Sequence, residues 1–258
     1  MTVTGGAGRD GPHRVAGKTM KVIQPTCRAR FTAQDVDFVV DVLGRSMEGN
    51  EVLVGLLSDE GTRDLILDDP NLHAALLERG GCLEVSARFY FYVLVRRVLA
   101  RAGIEDRRVA DYVAELLAEY ARMAGLRCEV PGLEKPLEYF FEMLAALQTV
   151  DEGTAFQVRA HMGNHSLFLA GIFKEHIEHR AARRGAPGLS YYEELGRTSY
   201  RVASDHRLAQ RYALSSVLGI LSQQFEVARA ALNDLSARVL SFGIGPDPAR
   251  IVESLGRN

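Results

Sequence analysis

The sequence predicts an all-α protein, a multi-helix bundle of about nine or ten helices, from three observations. Apolar residues recur at helical spacing almost everywhere from residue 32 onward. Caps and breakers such as Thr32, Asp69-Pro70, Gly103, Gly185 and Pro187-Gly188 divide that periodicity into segments. Residues 151–184 are apolar around most of the helix circumference, the pattern of a helix buried against several neighbours.

The elements follow in order. Thr32 caps a helix over 33–45, with Asp35 three residues on, and Asp69-Pro70 supplies an N-cap followed by a proline at the first helical position. Between them, 51–57 and 62–67 read as short helices, and 72–78 as another. Two longer helices, 83–101 and 105–123, are separated by Gly103. The run Phe89 to Val95 has strand propensity, but its flanking arginines, Arg96, Arg97 and Arg101, favour a buried helix. Gly125, Pro131 and Gly132 mark a loop over 125–135, the candidate subdomain boundary in what otherwise reads as one helical domain over 20–258. A helix over 136–149 comes next. Asp151 then opens a central helix running to Arg184, stopped by Gly185 and Pro187-Gly188. Ser190 with Glu193 fits a capping box for a final run to Ser241, with Ser204-Asp205 as a break inside it.

Composition limits the function classes. A chain of 258 residues, 47% hydrophobic and 25% charged, can bury a substantial core. Its formal charge of -2 gives no global reason to bind nucleic acid or an anionic membrane. The 27 arginines against 4 lysines show no clustering that would make a phosphate-binding stripe. Cys27, Cys82 and Cys128 are odd in number and far apart, which fits a reducing compartment. The longest stretches free of charged residues, 160–173 and 212–225, are 14 residues each, short of the roughly 18–20 that span a bilayer. No apolar signal segment opens the chain. The expectation is a cytoplasmic, soluble protein with no membrane or nucleic-acid partner. Residues 1–19, with five glycines, are expected to be a disordered tail, and Met20 is an alternative start.

Four histidines are the main chemical signal. At about 100° per residue, His161 at zero puts His165 near 40°, Phe168 near 340°, Ile172 near 20°, His176 near 60° and His179 near zero. His161 and His165, four residues apart, could reach one divalent metal, with Glu142, Glu193, Glu194, Asp205 or His206 as further ligands. His176 lies 11 residues beyond His165, roughly 16 Å along a straight helix, and cannot join that site. The bland alternative is that these imidazoles are core or interface residues. No Glu-x-x-His, His-Glu-x-x-His or His-Asp doublet is present, and no Gly-x-Ser-x-Gly elbow. Gly6 to Gly11 spells a dinucleotide fingerprint and Gly11 to Thr19 nearly a P-loop, but neither has the strand-turn-helix context that phosphate binding needs. Cys82, after Gly80-Gly81 at a predicted helix start, is a candidate for a lowered thiol pKa, weighed against a buried thiol.

A second polar set, Arg180, Arg183, Arg184, Tyr192, Arg197, Tyr200 and Arg201, mixes arginine with tyrosine and suits an anion or a partner surface. The competing reading is a solvated face with ion pairs such as Glu193 to Arg197. The sequence therefore predicts a non-enzymatic helical binding or regulatory protein acting through protein contacts or self-association, with no cofactor. The alternative is a metal-dependent hydrolase using His161 and His165.

Overall fold

The computed structural model describes residues 22–44, 47–79, 85–121, 127–131, 133 and 135–241. The predicted tail, its two glycine-rich matches, Met20 and Cys82 lie outside the described residues, and the 125–135 loop is described only in part. Among the described residues the protein is all-helical, without strands; one isolated bridge pairs Cys128 with Leu137. Thirteen α-helices are present there, not nine or ten, because long periodic runs are cut by breaks that periodicity does not register.

The N-terminal third contains a short 3-10 turn, Arg28–Arg30, then α1 (Ala33–Leu43), α2 (Met47–Ser58), α3 (Glu60–Leu67) and α4 (Pro70–Arg79). Local chemistry starts these helices as expected. The Thr32 hydroxyl accepts from the Asp35 amide while the Asp35 carboxylate accepts from the Thr32 amide, a reciprocal box that satisfies two otherwise orphaned donors. Asp69 accepts from the Asn71 amide ahead of α4.

The next layer is α5 (Ala87–Arg101) packed on α6 (Arg107–Tyr120). The Phe-Tyr-Phe-Tyr run belongs to α5, where Phe89, Tyr92 and Leu94 are buried. Helix α6 is buried over most of its surface, and its Asp111 and Glu115 meet arginines: Arg28 donates to Asp111, while Arg30 and Arg88 donate to Glu115. These pairs tie the 3-10 turn and α5 to α6.

The C-terminal half contains α7 (Phe140–Ala146), α8 (Glu152–Ile172), α9 (Lys174–Arg184), α10 (Leu189–Ser204), α11 (Arg207–Arg211), α12 (Ser215–Gln223) and α13 (Phe225–Ser241). Helix α8 is central. It packs against α6, α7, α10 and α13 and lies between two apolar clusters. Phe156, Leu167 and Phe168 join the larger cluster, while Val158 and Met162 face Cys128, Val130 and Met143 in the smaller one.

The expected single helix over 151–184 is corrected to two. Phe173 leaves helical geometry at φ -118°, ψ 33°. The break is supported from α13: the Asn233 amide donates to the carbonyls of Ala170 and Gly171, and the Ser236 hydroxyl donates to that of Ile172. These contacts satisfy carbonyls at the end of α8 that the interrupted helix would leave exposed. The final run divides as well. Its break at Asp205 matches the expectation, and further breaks occur around Ala213, with φ 52°, and at Gln224. The Ser190–Glu193 capping box does not form; Gly188 is the N-cap, with no side-chain hydrogen bond.

Helices α8 and α10 touch most extensively, through two glycines. A Cβ on Gly163 would lie 2.5 Å from the Tyr200 ring, and one on Gly196 would strike the Phe225 ring. Glycine there lets an aromatic ring rest directly on a neighbouring backbone. Beside that contact Asn164 accepts hydrogen bonds from both the Tyr112 and Tyr200 hydroxyls, at 2.8 and 2.9 Å, all three side chains being buried.

Candidate functional site

The break at Phe173 re-aims the chain so that α9 faces the end of α8 across a cleft. His165 and Leu169 of α8, with Phe173, form one side; His176, Ile177 and Arg180 of α9 form another. The start of α7 contributes Phe140 and Phe141, preceded by Glu138 and Tyr139, and Tyr192 of α10 and Pro187 complete the enclosure. The cleft holds about 420 Å³, inside the roughly 300–1,000 Å³ range of small-molecule sites, and its walls are mainly aromatic and aliphatic.

His165 forms the deep end. It is 2% exposed, and its ring lies 5.1 Å from Phe140, 6.2 Å from Tyr120 and 5.8 Å from His161, centroid to centroid. Neither of its ring nitrogens has a hydrogen-bond partner, and the same holds for His161 Nε2 and the Tyr120 hydroxyl. Burial lowers the His165 pKa from 6.5 to about 3, with His161 adding to the effect; burial lowers that of His161 to about 4. Both imidazoles are therefore neutral near pH 7, each ring offering one donor and one acceptor. Such a ring in an apolar recess can hydrogen-bond a ligand but cannot supply a formal charge.

The charge lies nearer the mouth. Arg180 sits one turn beyond His176 on α9, its Nε buried without a hydrogen-bond partner, and no carboxylate pairs with it among the described residues. Glu138, also lining the cleft, is 3.2 Å from Arg127 and so has its own cation. Partial burial, then Arg180, lowers the His176 pKa. Burial raises that of Tyr192 against an opposing effect of Arg180.

The sequence-derived metal set does not converge. His161 and His165 are neighbours, and the rings packed on them are those of Tyr120 and Phe140, with Phe168 against Tyr120. Glu193 pairs with Arg229 at 2.7 Å. Asp205 is exposed beyond α10, and His206 caps α11 and stacks on Phe156 at 5.3 Å. Glu142 accepts from the Glu138 and Tyr139 amides, and Glu194 pairs with Arg197. Among the described residues, no group of three or more His, Cys, Asp or Glu side chains could hold a metal ion. Of the other two histidines, His176 lines the cleft and His179 is exposed.

The arginine–tyrosine set also separates. Arg180 and Tyr192 line the cleft, whereas Arg183, Arg184 and Arg201 are exposed elsewhere on α9 and α10. Tyr200 is corrected from surface to core: it is fully buried and hydrogen-bonded to Asn164. Arg197 pairs with Glu194 and with Glu226 of α13, not with Glu193. Sequence reasoning missed Phe140, Leu169 and Ile177 as site residues, because each reads only as an apolar helix position; the aromatic density of Tyr139, Phe140 and Phe141 was the one available signal.

Cys27 and Cys128 are buried, the Cys27 thiol donating to the Arg88 carbonyl, and burial raises both thiol pKa values. Neither has the electropositive, accessible setting of a reactive cysteine. No described helix is long and apolar enough to cross a membrane. Comparison with known proteins finds no matching family model, no similar curated protein and no matching solved structure.

Proposed function

We propose that this chain is a non-enzymatic helical binding protein whose site is the cleft between α7, α8, α9 and α10. Its ligand is a small, largely apolar molecule carrying a hydrogen-bonding group toward His165. The observation that carries the reading is His165 itself: a buried, neutral imidazole with both nitrogens unpartnered, lining an apolar cleft of ligand size. Buried polar groups are normally hydrogen-bonded, and an unpartnered one at the deep end of a cleft is a place where a ligand recovers lost hydrogen-bond energy. The hydrolase alternative lacks comparable support, since among the described residues no group of three or more His, Cys, Asp or Glu side chains forms around His161 and His165 to complete a metal site.

Titration with phenylnaphthylamine, a neutral dye that brightens in apolar surroundings, tests the reading. Saturable one-to-one binding is expected for the wild type and its loss for Leu169→Trp, which fills the cleft with an indole, while circular dichroism stays helical. Absent binding, or equal binding to the filled variant, overturns the proposal. So does near-stoichiometric metal in protein purified without a histidine tag and lost in His161→Ala/His165→Ala.

A protein contact is the second reading, and α7 favours it. Phe141 is 69% exposed, with Leu144 also exposed one turn away. The occupant of this face would be a second copy of the chain. Sedimentation that depends on protein concentration, abolished by Phe141→Ser, is the expected result; a monomer at every concentration overturns it.

A further inference from the structure

We infer that the cleft selects an anionic amphiphile: a small molecule whose apolar body packs among Leu169, Phe173, Ile177 and Phe140 and whose single oxyanion is received by Arg180. The inference rests on the binding reading above and adds the chemical class of the ligand.

The charge arrangement supports this choice. Arginine usually meets a carboxylate when it is partly removed from water, because an unpaired buried charge is costly. In this protein Arg28, Arg88, Arg96, Arg107 and Arg229 have acidic partners, whereas Arg97 and Arg159, partly buried outside the cleft, have none among the described residues. Arg180 has none among the described residues, although its Nε is buried. Glu138, the acidic residue lining the cleft among the described residues, is paired with Arg127. Arg180 therefore leaves one positive charge in the cleft, and a guanidinium offers a planar fork of donors matched to a carboxylate or sulfonate.

The apolar surface is equally specific. Ile177 and Phe173 precede Arg180 on the same side, and Leu169 lies beyond the break, so an anion held at Arg180 has aliphatic and aromatic wall between it and His165. A bare inorganic anion would leave that wall unused. A neutral apolar molecule would leave the guanidinium facing it unpaired. A molecule with both parts satisfies both. His176, one turn before Arg180 and with its Nε2 buried and unpartnered, adds a second hydrogen-bonding group along the same wall.

The test uses a matched pair of dyes, neutral phenylnaphthylamine and anionic anilinonaphthalene sulfonate, which share the aromatic body and differ in the oxyanion. The full chain is expected to bind the sulfonate about tenfold more tightly or better, the size of one charge-assisted hydrogen bond. Arg180→Gln should remove that preference, weakening the sulfonate at least tenfold more than the neutral dye. Arg180→Lys should restore part of it, and added salt should weaken only the sulfonate. Octanoate should displace the sulfonate dye at concentrations where octanol does not. Equal wild-type affinity for the two dyes overturns the inference but leaves the binding reading intact. Equal weakening of both dyes by Arg180→Gln, with helicity retained, also overturns it. If neither dye binds, the reading beneath it falls as well.

Discussion

Replacing His165 with leucine should stabilise the protein, and more so in acid. Leucine has a similar volume and removes two buried nitrogens that have no partners. Relief of that unsatisfied desolvation contributes about 1–3 kcal/mol at neutral pH, offset in part by imperfect repacking. The acid effect is a linkage. The imidazole titrates near 6.5 in the unfolded chain and, through burial, near 3 in the folded one. Between those values the unfolded chain holds a proton that the folded chain lacks, so stability falls as pH drops through 6.5 and levels off only below about 3. From pH 7 to pH 5 the loss through His165 is about 2 kcal/mol. His161 and His73, each lowered to about 4 by burial, act in the same direction and remain in the variant. Urea unfolding at the two pH values measures all of this. Wild type should lose about 2 kcal/mol more than His165→Leu between pH 7 and pH 5. A variant destabilised by more than about 2 kcal/mol at pH 7 would show that the imidazole is satisfied in the fold. Parallel acid losses would show that it is not held neutral.

Three other perturbations address the frame around the cleft. Gly196→Ala drives a methyl group into the Phe225 ring and should cost about 1–3 kcal/mol, read as a lower Tm; an unchanged Tm would mean that α10 and α13 have room to separate. Asn164→Leu strands the Tyr112 and Tyr200 hydroxyls and should cost about 2–5 kcal/mol, partly recovered when both tyrosines become phenylalanine; no recovery would place the cost in packing. Asp111→Ala leaves Arg28 with Asp64 alone and should cost about 3–5 kcal/mol in urea unfolding, whereas a loss below about 1 kcal/mol would mean that the arginine reaches water.

What was legible in the sequence is local. Thr32 with Asp35, Asp69 before Pro70, and Gly185, which adopts a left-handed φ of 61° after α9, act within a few residues of themselves. The breaks that shape the site depend on distant partners. Phe173 interrupts α8 where Asn233 and Ser236 donate to the freed carbonyls of Ala170, Gly171 and Ile172 from some sixty residues away, a relation that helical periodicity cannot carry. Tyr200 was misplaced because its neighbours are arginines, yet Gly196, Ser199, Tyr200 and Ala203 follow the spacing of an inward face and could have corrected it. Ser190 fits a capping box in letters, but its intended partner, Glu193, is committed to Arg229 on α13. The proximity of His161 and His165 was readable from their spacing. Their aromatic surroundings were not, since Tyr120 and Phe140 arrive from two other helices.

The two glycine contacts carry a mechanical consequence. With Tyr200 seated on Gly163 and Phe225 seated on Gly196, α8, α10 and α13 interlock like toothed parts: sliding one past another by a turn would force a ring against a backbone with no glycine to receive it. His165 is two residues from the first of these seats, and Tyr192 one turn from the second. The distance between the deep end of the cleft and its α10 wall is thereby fixed before anything enters. A guest arriving there need not drive those helices into place, so the ordering they require is already complete in the empty protein.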